Sequence, residues 1–187
     1  DNFEVHYKIT GKEILDDVNE EIGAFISGVG TGGTLMGVGS RIKEKYDQSK
    51  IVAIEPEKMP LISGGKIKGN HKIEGIGDEF VPDLLHKDKI DEIYLINDDD
   101  AINMSRKLSR NLGLGVGISS GANFLGAVLQ NDVSKKPSVT VFPDDNKKYL
   151  STELSGPISD NEEYISNKIK LISYQVVNNW HVKKINV

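Results

Sequence analysis

The stretch that decides the fold is Gly28-Val29-Gly30-Thr31-Gly32-Gly33, a glycine-rich turn between two regular segments. The compact apolar run Ala24–Val29 leads into it and is typical of a buried strand. Apolar residues then recur at helical spacing from Leu35 to about Tyr46, with charged residues on the opposite face. Lys50–Ile54 is rich in β-branched residues and predicts a second strand. The sequence therefore predicts a strand–helix–strand unit whose first turn is this glycine loop.

The glycine turn literally matches the G-x-G-x-x-G fingerprint of dinucleotide-binding folds, and Glu55 ends the next predicted strand, 22 residues after Gly33. A glycine loop at a helix N-terminus offers free N–H groups and a positive dipole end to any phosphate. Thr31 and Thr34 add two hydroxyl groups, which suit a terminal phosphate better than a bridging pyrophosphate. The open alternatives are NAD, another phosphate ligand, and a tight turn without a ligand.

Glycine is both frequent and clustered in this chain. It accounts for 19 of 187 residues, against roughly 7% in ordinary globular chains. Sixteen of the 19 lie in three windows, Gly28–Gly39, Gly64–Gly77 and Gly113–Gly126. Clustered glycine indicates backbone that approaches something closely or adopts a positive φ. All three windows are therefore candidate functional segments.

Bulk composition argues against several classes of function. The net charge is −5, whereas a nucleic-acid surface needs clustered Lys and Arg. The absence of cysteine excludes disulfides, thiolate catalysis and cysteine zinc sites. No apolar run approaches the roughly 18–20 residues of a membrane span, and the polar, acidic start does not resemble a signal peptide. We expect a cytoplasmic protein with no nucleic-acid or membrane partner. Since the sequence lacks an initiator Met, we also expect it to be a piece of a longer chain.

Strands and helices alternate along the rest of the chain. Further strands are predicted at Glu92–Ile96 and Ser138–Phe142, and residues 57–91 are predicted to be irregular. Helices are predicted at Thr10–Val18 with Thr10 in a capping box, at Asp98–Leu112 between an Asn97 N-cap and Gly113, and at Asn123–Gln130. This alternation predicts an α/β fold with a parallel twisted sheet flanked by helices.

The third glycine window contains Gly117-Ile118-Ser119-Ser120-Gly121, which literally matches the G-x-S-x-G nucleophile elbow of hydrolases. Asp144 or Asp145, and then His181, follow in the hydrolase order. However, the glycine-rich stretch before Ser119 is a poor strand for an elbow, and no candidate oxyanion loop precedes it. Ser119 could equally be a helix N-cap or a hydrogen-bond partner for a ring nitrogen, and these alternatives stay open.

The other polar residues that draw attention have structural interpretations. His6, His71 and His86 have no metal-ligand spacing, so they are predicted to be surface or loop residues and no metal site is expected. Asp98-Asp99-Asp100 is interpreted as a charge cluster at a helix N-terminus. These interpretations leave the glycine windows as the candidates for function.

Six stretches, taken in order, resemble the cysteine synthase (O-acetylserine sulfhydrylase) family of fold type II pyridoxal-phosphate enzymes. They extend over about residues 6–154 at similar spacings, and they are specific together although none is specific alone. The six are His6-x-x-x-Thr10-Gly11-x-Glu13-Ile14, Phe25–Leu35, Ala53-Ile54-Glu55-Pro56, His71–Gly77, Gly117–Ala122 and Lys148-Tyr149-Leu150-Ser151-Thr152.

The resemblance implies a role for each glycine window. The first would hold the phosphate of pyridoxal 5'-phosphate, the third would bring Ser119 to the pyridine nitrogen, and the second would lie beside the amino acid portion of the substrate and move on closure. The implied reaction is β-replacement, in which O-acetylserine loses acetate and sulfide takes its place to give cysteine. The implied cofactor-binding residues are Gly30, Thr31, Gly32, Gly33, Thr34 and Ser119, and the implied substrate-side residues are Gly75, Ile76 and Gly77.

The resemblance also implies that part of the active site lies outside this chain. The family's other domain carries the Schiff-base lysine and the groups that hold the cofactor's phenolic oxygen and the substrate carboxylate, and no segment here matches them. We therefore expect residues 1–154 to form the domain that binds the cofactor phosphate, residues 155–187 to be a divergent tail, and the catalytic lysine to be absent. The implied partners are O-acetylserine, sulfide, a second copy in a homodimer, and serine acetyltransferase, whose C-terminal tail the family's cleft receives.

Two alternatives to a cysteine synthase remain open. Cystathionine β-synthase shares these motifs but uses homocysteine as the sulfur donor. A chain without the lysine could instead be a catalytically inactive binding or regulatory module.

Overall fold

Four parallel strands form the centre of the fold. The computed structural model describes residues 1–176, and its strands are β1 (Ala24–Gly28), β2 (Lys50–Pro56), β3 (Glu92–Ile96) and β4 (Ser138–Thr140). Their spatial order is β3-β2-β1-β4. The two central strands, β1 and β2, are almost wholly buried, as is usual for a parallel sheet covered on both faces. The predicted α/β class with a parallel sheet is confirmed.

Helices cover both faces of this sheet. They are α1 (Asn2–Val5), α2 (Gly11–Asp17), α3 (Gly33–Lys45), α4 (Asp98–Leu112), α5 (Ile118–Ser134) and α6 (Ile165–Lys168), and a π-helical turn, His6–Thr10, joins α1 to α2. Successive residues of a strand point to opposite faces. Phe25 accordingly packs in a buried cluster with Leu35 of α3, whereas Ile26 packs in a second cluster with Leu125 of α5.

The predicted bounds of α4 and β3 match the structure. Asn97 caps α4, because its side-chain oxygen accepts the N–H groups of Asp99 and Asp100 at 3.0 and 3.2 Å. Gly113 ends the same helix in the left-handed conformation, with φ of 72°. Both termini are therefore determined by local signals in the sequence.

One predicted cap and two other predicted bounds are wrong. Helix α2 has the predicted extent, with Thr10 and Val18 at its cap positions, but the Thr10 side chain makes no capping hydrogen bond. Helical backbone already begins at Asn2, where the Asp1 carboxylate accepts the N–H of Glu4 at 2.9 Å. Helix α5 begins at Ile118 and not near Asn123, because Gly117 is its N-cap. The last strand ends at Thr140, before the predicted Phe142.

The described part of the tail packs on α4 through buried polar side chains. The Asp100 carboxylate accepts two backbone N–H groups, those of Ile165 and Ser166, at 2.8 and 3.0 Å. The Lys107 ammonium donates to the carbonyl oxygens of Ser166 and Ile169. Residues 177–187 lie outside the described part, and with them lie the end of the apolar stretch Ile169–Val177 and His181 of the hydrolase hypothesis.

Candidate cofactor-binding site

The three glycine windows meet in one cleft of about 570 Å³ beyond the carboxyl ends of the strands. Open α/β sheets bind their ligands at this edge. The predicted residues that line the cleft are Gly30, Thr31, Gly32 and Thr34 from the first window, Gly75 and Ile76 from the second, and Ser119 from the third. Two predicted residues do not line it. Gly33 is covered by the Asn2 side chain, and Gly77 lies behind the wall with its N–H donated to the carbonyl of Val29 at 3.0 Å.

The first window leads from β1 into α3 through a loop suited to an anion. Gly32 has a φ of 83°, in the left-handed region that favours glycine, and it is the N-cap of α3. The backbone N–H groups of Gly30, Thr31 and Gly32 have no hydrogen-bond partner within residues 1–176. Together with the positive end of the helix dipole, these N–H groups form a cradle of donors of the kind that binds anions such as phosphate, and we call it the phosphate cradle.

The N-terminal helices hold the two threonine hydroxyls of this loop. The Asn2 side-chain amide donates to Thr31 Oγ1 at 2.6 Å. His6 Nε2 lies 3.1 Å from Thr34 Oγ1, and its Nδ1 lies 3.1 Å from Thr10 Oγ1. Each threonine oxygen thus has a neighbour that fixes its position while its own O–H can point into the cleft.

His6 is a site residue that the sequence reasoning missed. It was predicted to be a surface or loop histidine, but it is half-buried, lines the cleft, and contacts Thr34, which is 28 residues away in sequence. Only the His6-x-x-x-Thr10 stretch in the family resemblance indicated that the residue matters, and that signal assigned it no contact.

The third window places Ser119 in the first turn of α5, facing the cleft. Its hydroxyl has no hydrogen-bond partner in the described part of the chain, although only 4% of the residue is exposed. One turn later, Asn123 accepts the N–H of Gly28 at 2.7 Å and donates to the carbonyl of Val141 at 2.9 Å. These bonds fix α5 to the ends of β1 and β4, and with it the position of Ser119.

This geometry contradicts two interpretations of Ser119. It is not the N-cap, because Gly117 occupies that position. It does not lie on a nucleophile elbow, because Val116 before it forms only an isolated bridge with Asp145 and belongs to no strand. The hydrogen-bond partner for a ring nitrogen remains as the third interpretation.

The second window packs against the first through backbone atoms. A β-carbon built on Gly30 would lie 2.5 Å from the carbonyl oxygen of Gly75. Ile76 fills the space over Gly28, whose added β-carbon would lie 2.6 Å from an Ile76 methyl group. The backbone contact requires glycine at position 30, whereas a β-carbon at position 28 would require the Ile76 side chain to shift, and both contacts explain part of the clustering.

Lys148 lines the cleft, and two carboxylates lie near its ammonium group. Its ammonium lies 2.9 Å from Asp144 Oδ2 and 4.0 Å from Glu74 Oε2. The hydrogen bond to Asp144 raises the pKa of the Lys148 ammonium above its usual value, so this lysine is held in its charged form. Lys148 is the one lysine along this cleft within residues 1–176.

Glu55 cannot take the part that a dinucleotide fingerprint requires of it. In that fingerprint, an acidic residue at the end of the second strand bonds the ribose. Glu55 is 1% exposed, and its two carboxylate oxygens accept the N–H groups of Ile62 and Ser63 at 2.8 and 2.9 Å. The carboxylate therefore organises the following loop and is not free for a ribose, which argues against NAD.

Within residues 1–176, no three His, Cys, Asp or Glu side chains are grouped as metal ligands would be. Over the same residues, no helix is both long and apolar enough to cross a membrane.

A parallel sheet with a loop of unpaired N–H groups and a facing serine at its carboxyl edge defines an α/β domain with a cleft suited to an anionic ligand. Residues 1–144 match the family described as pyridoxal-phosphate dependent enzyme, and the chain belongs to that family. The cradle fits the phosphate of this cofactor, and the unpartnered Ser119 hydroxyl fits its ring nitrogen.

Individual relatives agree with this assignment. The chain is 45% identical over 154 residues to cysteine synthase B of Campylobacter jejuni, covering 82% of this chain and 51% of that protein. Among solved structures, it resembles a hydrogen sulfide-producing enzyme from Fusobacterium nucleatum, with 51% identity, a TM-score of 0.81, and coverage of 87% of this chain and 50% of the other. It also resembles O-acetylserine sulfhydrylase isoform 3 of Entamoeba histolytica, with 36% identity, a TM-score of 0.80, and coverage of 89% and 49%. The predicted resemblance to cysteine synthases is confirmed, and the chain spans about half the length of these relatives.

Proposed function

We propose that this chain is the phosphate-binding part of a cysteine synthase-type enzyme, which replaces the acetate of O-acetylserine with sulfide. One observation carries the proposal: a single cleft contains the unpaired N–H groups of Gly30, Thr31 and Gly32 and the unpartnered hydroxyl of Ser119. A phosphate at one end of a ligand and an aromatic nitrogen at the other would satisfy both sets of groups.

The first window would bind the phosphate through N–H and hydroxyl donors. For Thr34 to donate its proton to a phosphate oxygen, its own oxygen must accept from His6 Nε2. His6 Nδ1 lies 3.1 Å from the Thr10 hydroxyl oxygen, which holds the other edge of the ring. This arrangement requires a proton on His6 Nε2 and aims the Thr34 hydroxyl at the ligand.

Ser119 would hold the ring nitrogen from the opposite side of the cleft. A serine hydroxyl is a neutral partner, so it leaves that nitrogen largely unprotonated and limits the ring's strength as an electron sink. This favours loss of a β-substituent over chemistry that needs a full carbanion. Bound pyridoxal phosphate supplies the electron-withdrawing ring on which β-replacement depends.

The remaining groups of the reaction are proposed to lie outside this chain. No segment matches the family's lysine-bearing stretch, and Lys148, the lysine at the cleft, is ion-paired and 55% exposed. We propose that a segment outside the 187 residues supplies the lysine that links to the cofactor. Borohydride reduction of the chain mixed with pyridoxal phosphate tests this, since trapping at one defined lysine of the chain would contradict it.

The phosphate cradle is tested by two substitutions in the first window. Thr34→Ala removes a hydroxyl donor, and Gly32→Ala forces a β-carbon onto a residue with φ of 83°. Each should weaken pyridoxal-phosphate binding roughly tenfold or more, measured by titration calorimetry in the complete enzyme. Thr34→Ser keeps the hydroxyl and is the matched control, which should bind nearly as wild type. Unchanged affinity in both Thr34→Ala and Gly32→Ala would reject the assignment.

The sulfur compound that the complete enzyme uses or releases has to be determined by assay. The 51% identity to a hydrogen sulfide-producing enzyme favours sulfide release as a second candidate, while homocysteine as donor would indicate a cystathionine β-synthase type. Assays of the complete enzyme with O-acetylserine plus sulfide, O-acetylserine plus homocysteine, and cysteine alone distinguish these. Activity with sulfide as acceptor is expected. Ligand binding without turnover in all three assays would instead favour an inactive binding module.

We propose a homodimer and serine acetyltransferase as partners on the family resemblance alone. Light scattering of the complete enzyme and co-purification with a serine acetyltransferase carrying its C-terminal tail test the two partners separately.

A further inference from the structure

A histidine side chain binds the last glycine of the second window, Gly77, which we call the tip of the loop. The ring Nε2 of His71 donates to the carbonyl oxygen of Gly77 at 2.8 Å. The N–H of Gly77 in turn donates to the carbonyl of Val29, in the first window, at 3.0 Å. His71, Gly77 and Val29 thus form a continuous hydrogen-bonded chain from the loop to the phosphate cradle.

The two ring nitrogens of His71 differ in their contacts. Its Nδ1 is buried and has no hydrogen-bond partner within residues 1–176. Because the carbonyl of Gly77 can only accept, Nε2 must carry a proton and act as the donor. The Gly77 bond is therefore the one polar interaction that the ring makes in the described structure.

The start of the same loop, at Lys72 next to His71, is held by contacts that do not involve the histidine. We call this segment the root of the loop. The Lys72 backbone N–H donates to Asp98 Oδ2 at 3.2 Å, and its ammonium lies 3.0 Å from Asp99 and 2.7 Å from Glu153. Ile73, the next residue, is fully buried in the core cluster that includes residues of α4 and α5. The loop therefore has a fixed root on α4, and two side-chain contacts beyond it, the His71 bond to Gly77 and the ion pair of Glu74 with Lys148 at 4.0 Å.

We propose that His71 is a positioning residue, which holds Gly75–Gly77 against the phosphate cradle and so defines the substrate-side wall of the cleft. The inference rests on the proposed function, because it takes this loop to be the wall beside the substrate. The Gly75 carbonyl at Gly30 and the Ile76 side chain at Gly28 lie within two residues of the Gly77 bond to Val29, so we expect them to shift when that bond weakens. Loss of the His71 donor should free this loop without unfolding the sheet.

Two amide substitutions of different length test the proposal. In His71→Gln the side-chain NH2 reaches the position of Nε2 and can donate to Gly77, whereas in His71→Asn it reaches only the position of Nδ1. The readout is amide hydrogen exchange by NMR in the 187-residue chain. Exchange at Gly77 should be roughly two- to tenfold faster in His71→Asn than in wild type, and should return toward wild type in His71→Gln. His86→Asn, at an exposed histidine, controls for the substitution itself.

Comparing exchange at Gly77 with exchange in the core sheet separates a loss of loop positioning from a loss of stability of the whole chain. The Ile26 amide in β1 should exchange at the wild-type rate in all three variants. Equal acceleration at Ile26 and Gly77, equal exchange in the Gln and Asn variants, or no change in His71→Asn would overturn the proposal. Binding of inorganic phosphate to the wild-type chain, followed by 31P NMR, tests the proposed function separately. Absence of binding would contradict the proposed function, while the exchange rates would still show whether His71 positions the loop.

Discussion

The α-carbon of Gly30 approaches the carbonyl oxygen of Gly75 so closely that a β-carbon at position 30 would lie 2.5 Å from it. That oxygen belongs to the backbone, so no side-chain rotation can relieve the overlap. We expect Gly30→Ala to lower the free energy of unfolding by about 1–3 kcal/mol and to displace the second window from the cradle.

Urea denaturation of the Gly30→Ala chain measures this cost. Gly115→Ala is the control, because its added β-carbon would meet only the side chain of Asn146, at 3.0 Å, which can rotate away. Equal stability of the two variants would show that the loops do not depend on close backbone approach.

Helices α4 and α5 also meet through a glycine. A β-carbon on Gly121 would lie 2.2 Å from the Ala101 carbonyl oxygen, whereas one on Gly126 would lie 2.3 Å from the terminal methyl of Ile54. Alanine favours a helix by up to about 1 kcal/mol in both cases, but only the Ile54 methyl can move aside. Gly121→Ala should therefore be less stable than Gly126→Ala by at least about 1 kcal/mol in thermal or urea unfolding. The reverse order would mean that α4 and α5 can separate at little cost.

Local signals explain how much of the fold could be predicted. Helix α4 was predicted to its residue bounds because its N-cap, acidic first turn and terminal glycine all lie within or beside the segment. The glycine turn between β1 and α3 was predicted for the same reason. The ends of β2 and β4 were predicted less accurately, since Pro56 and Thr140 end these strands where pairing with neighbours stops and not where composition changes.

Long-range contacts explain what the sequence could not predict. Thr10 has the spacing of a helix cap, but its hydroxyl contacts His6, and His6 reaches Thr34 across 28 residues. Likewise, Asp100 appeared to be one of three first-turn charges, yet its carboxylate binds N–H groups 65 and 66 residues away. Such partners come together only through tertiary packing, which a propensity argument does not contain.

The buried Asp100 provides a test of the tail's attachment. Asp100→Ala leaves the N–H groups of Ile165 and Ser166 without their acceptor, which should cost about 1–3 kcal/mol locally and release α6. Limited proteolysis should then cut the segment around Ile165 faster in Asp100→Ala than in wild type. Asp99→Ala, at a side chain that is 49% exposed, is the control and should leave the segment protected. Equal cleavage of the two variants would contradict the anchoring role of Asp100.

Alkaline pH should weaken the root of the second window. Hydrogen bonds to Glu153 and Asp99 raise the pKa of Lys72 to about 12 from its ordinary 10.5. A raised pKa in the folded state means that the stabilisation is complete below pH 10.5 and is lost as pH rises through 12. Because the Lys72 side chain is 41% exposed, solvent screening limits the contribution to about 1 kcal/mol or less.

Comparing Lys72→Met with wild type over a pH series measures this contribution. The difference in their free energies of unfolding should be constant from pH 7 to 10, should shrink between pH 10.5 and 12, and should be smaller in high salt. Lys66→Met is the control, since Lys66 forms no hydrogen bond or ion pair within residues 1–176 and its variant should show no such pH dependence. A Lys72→Met difference that persists unchanged above pH 12 would mean that packing of the lysine stem, and not its charge, holds the loop to α4.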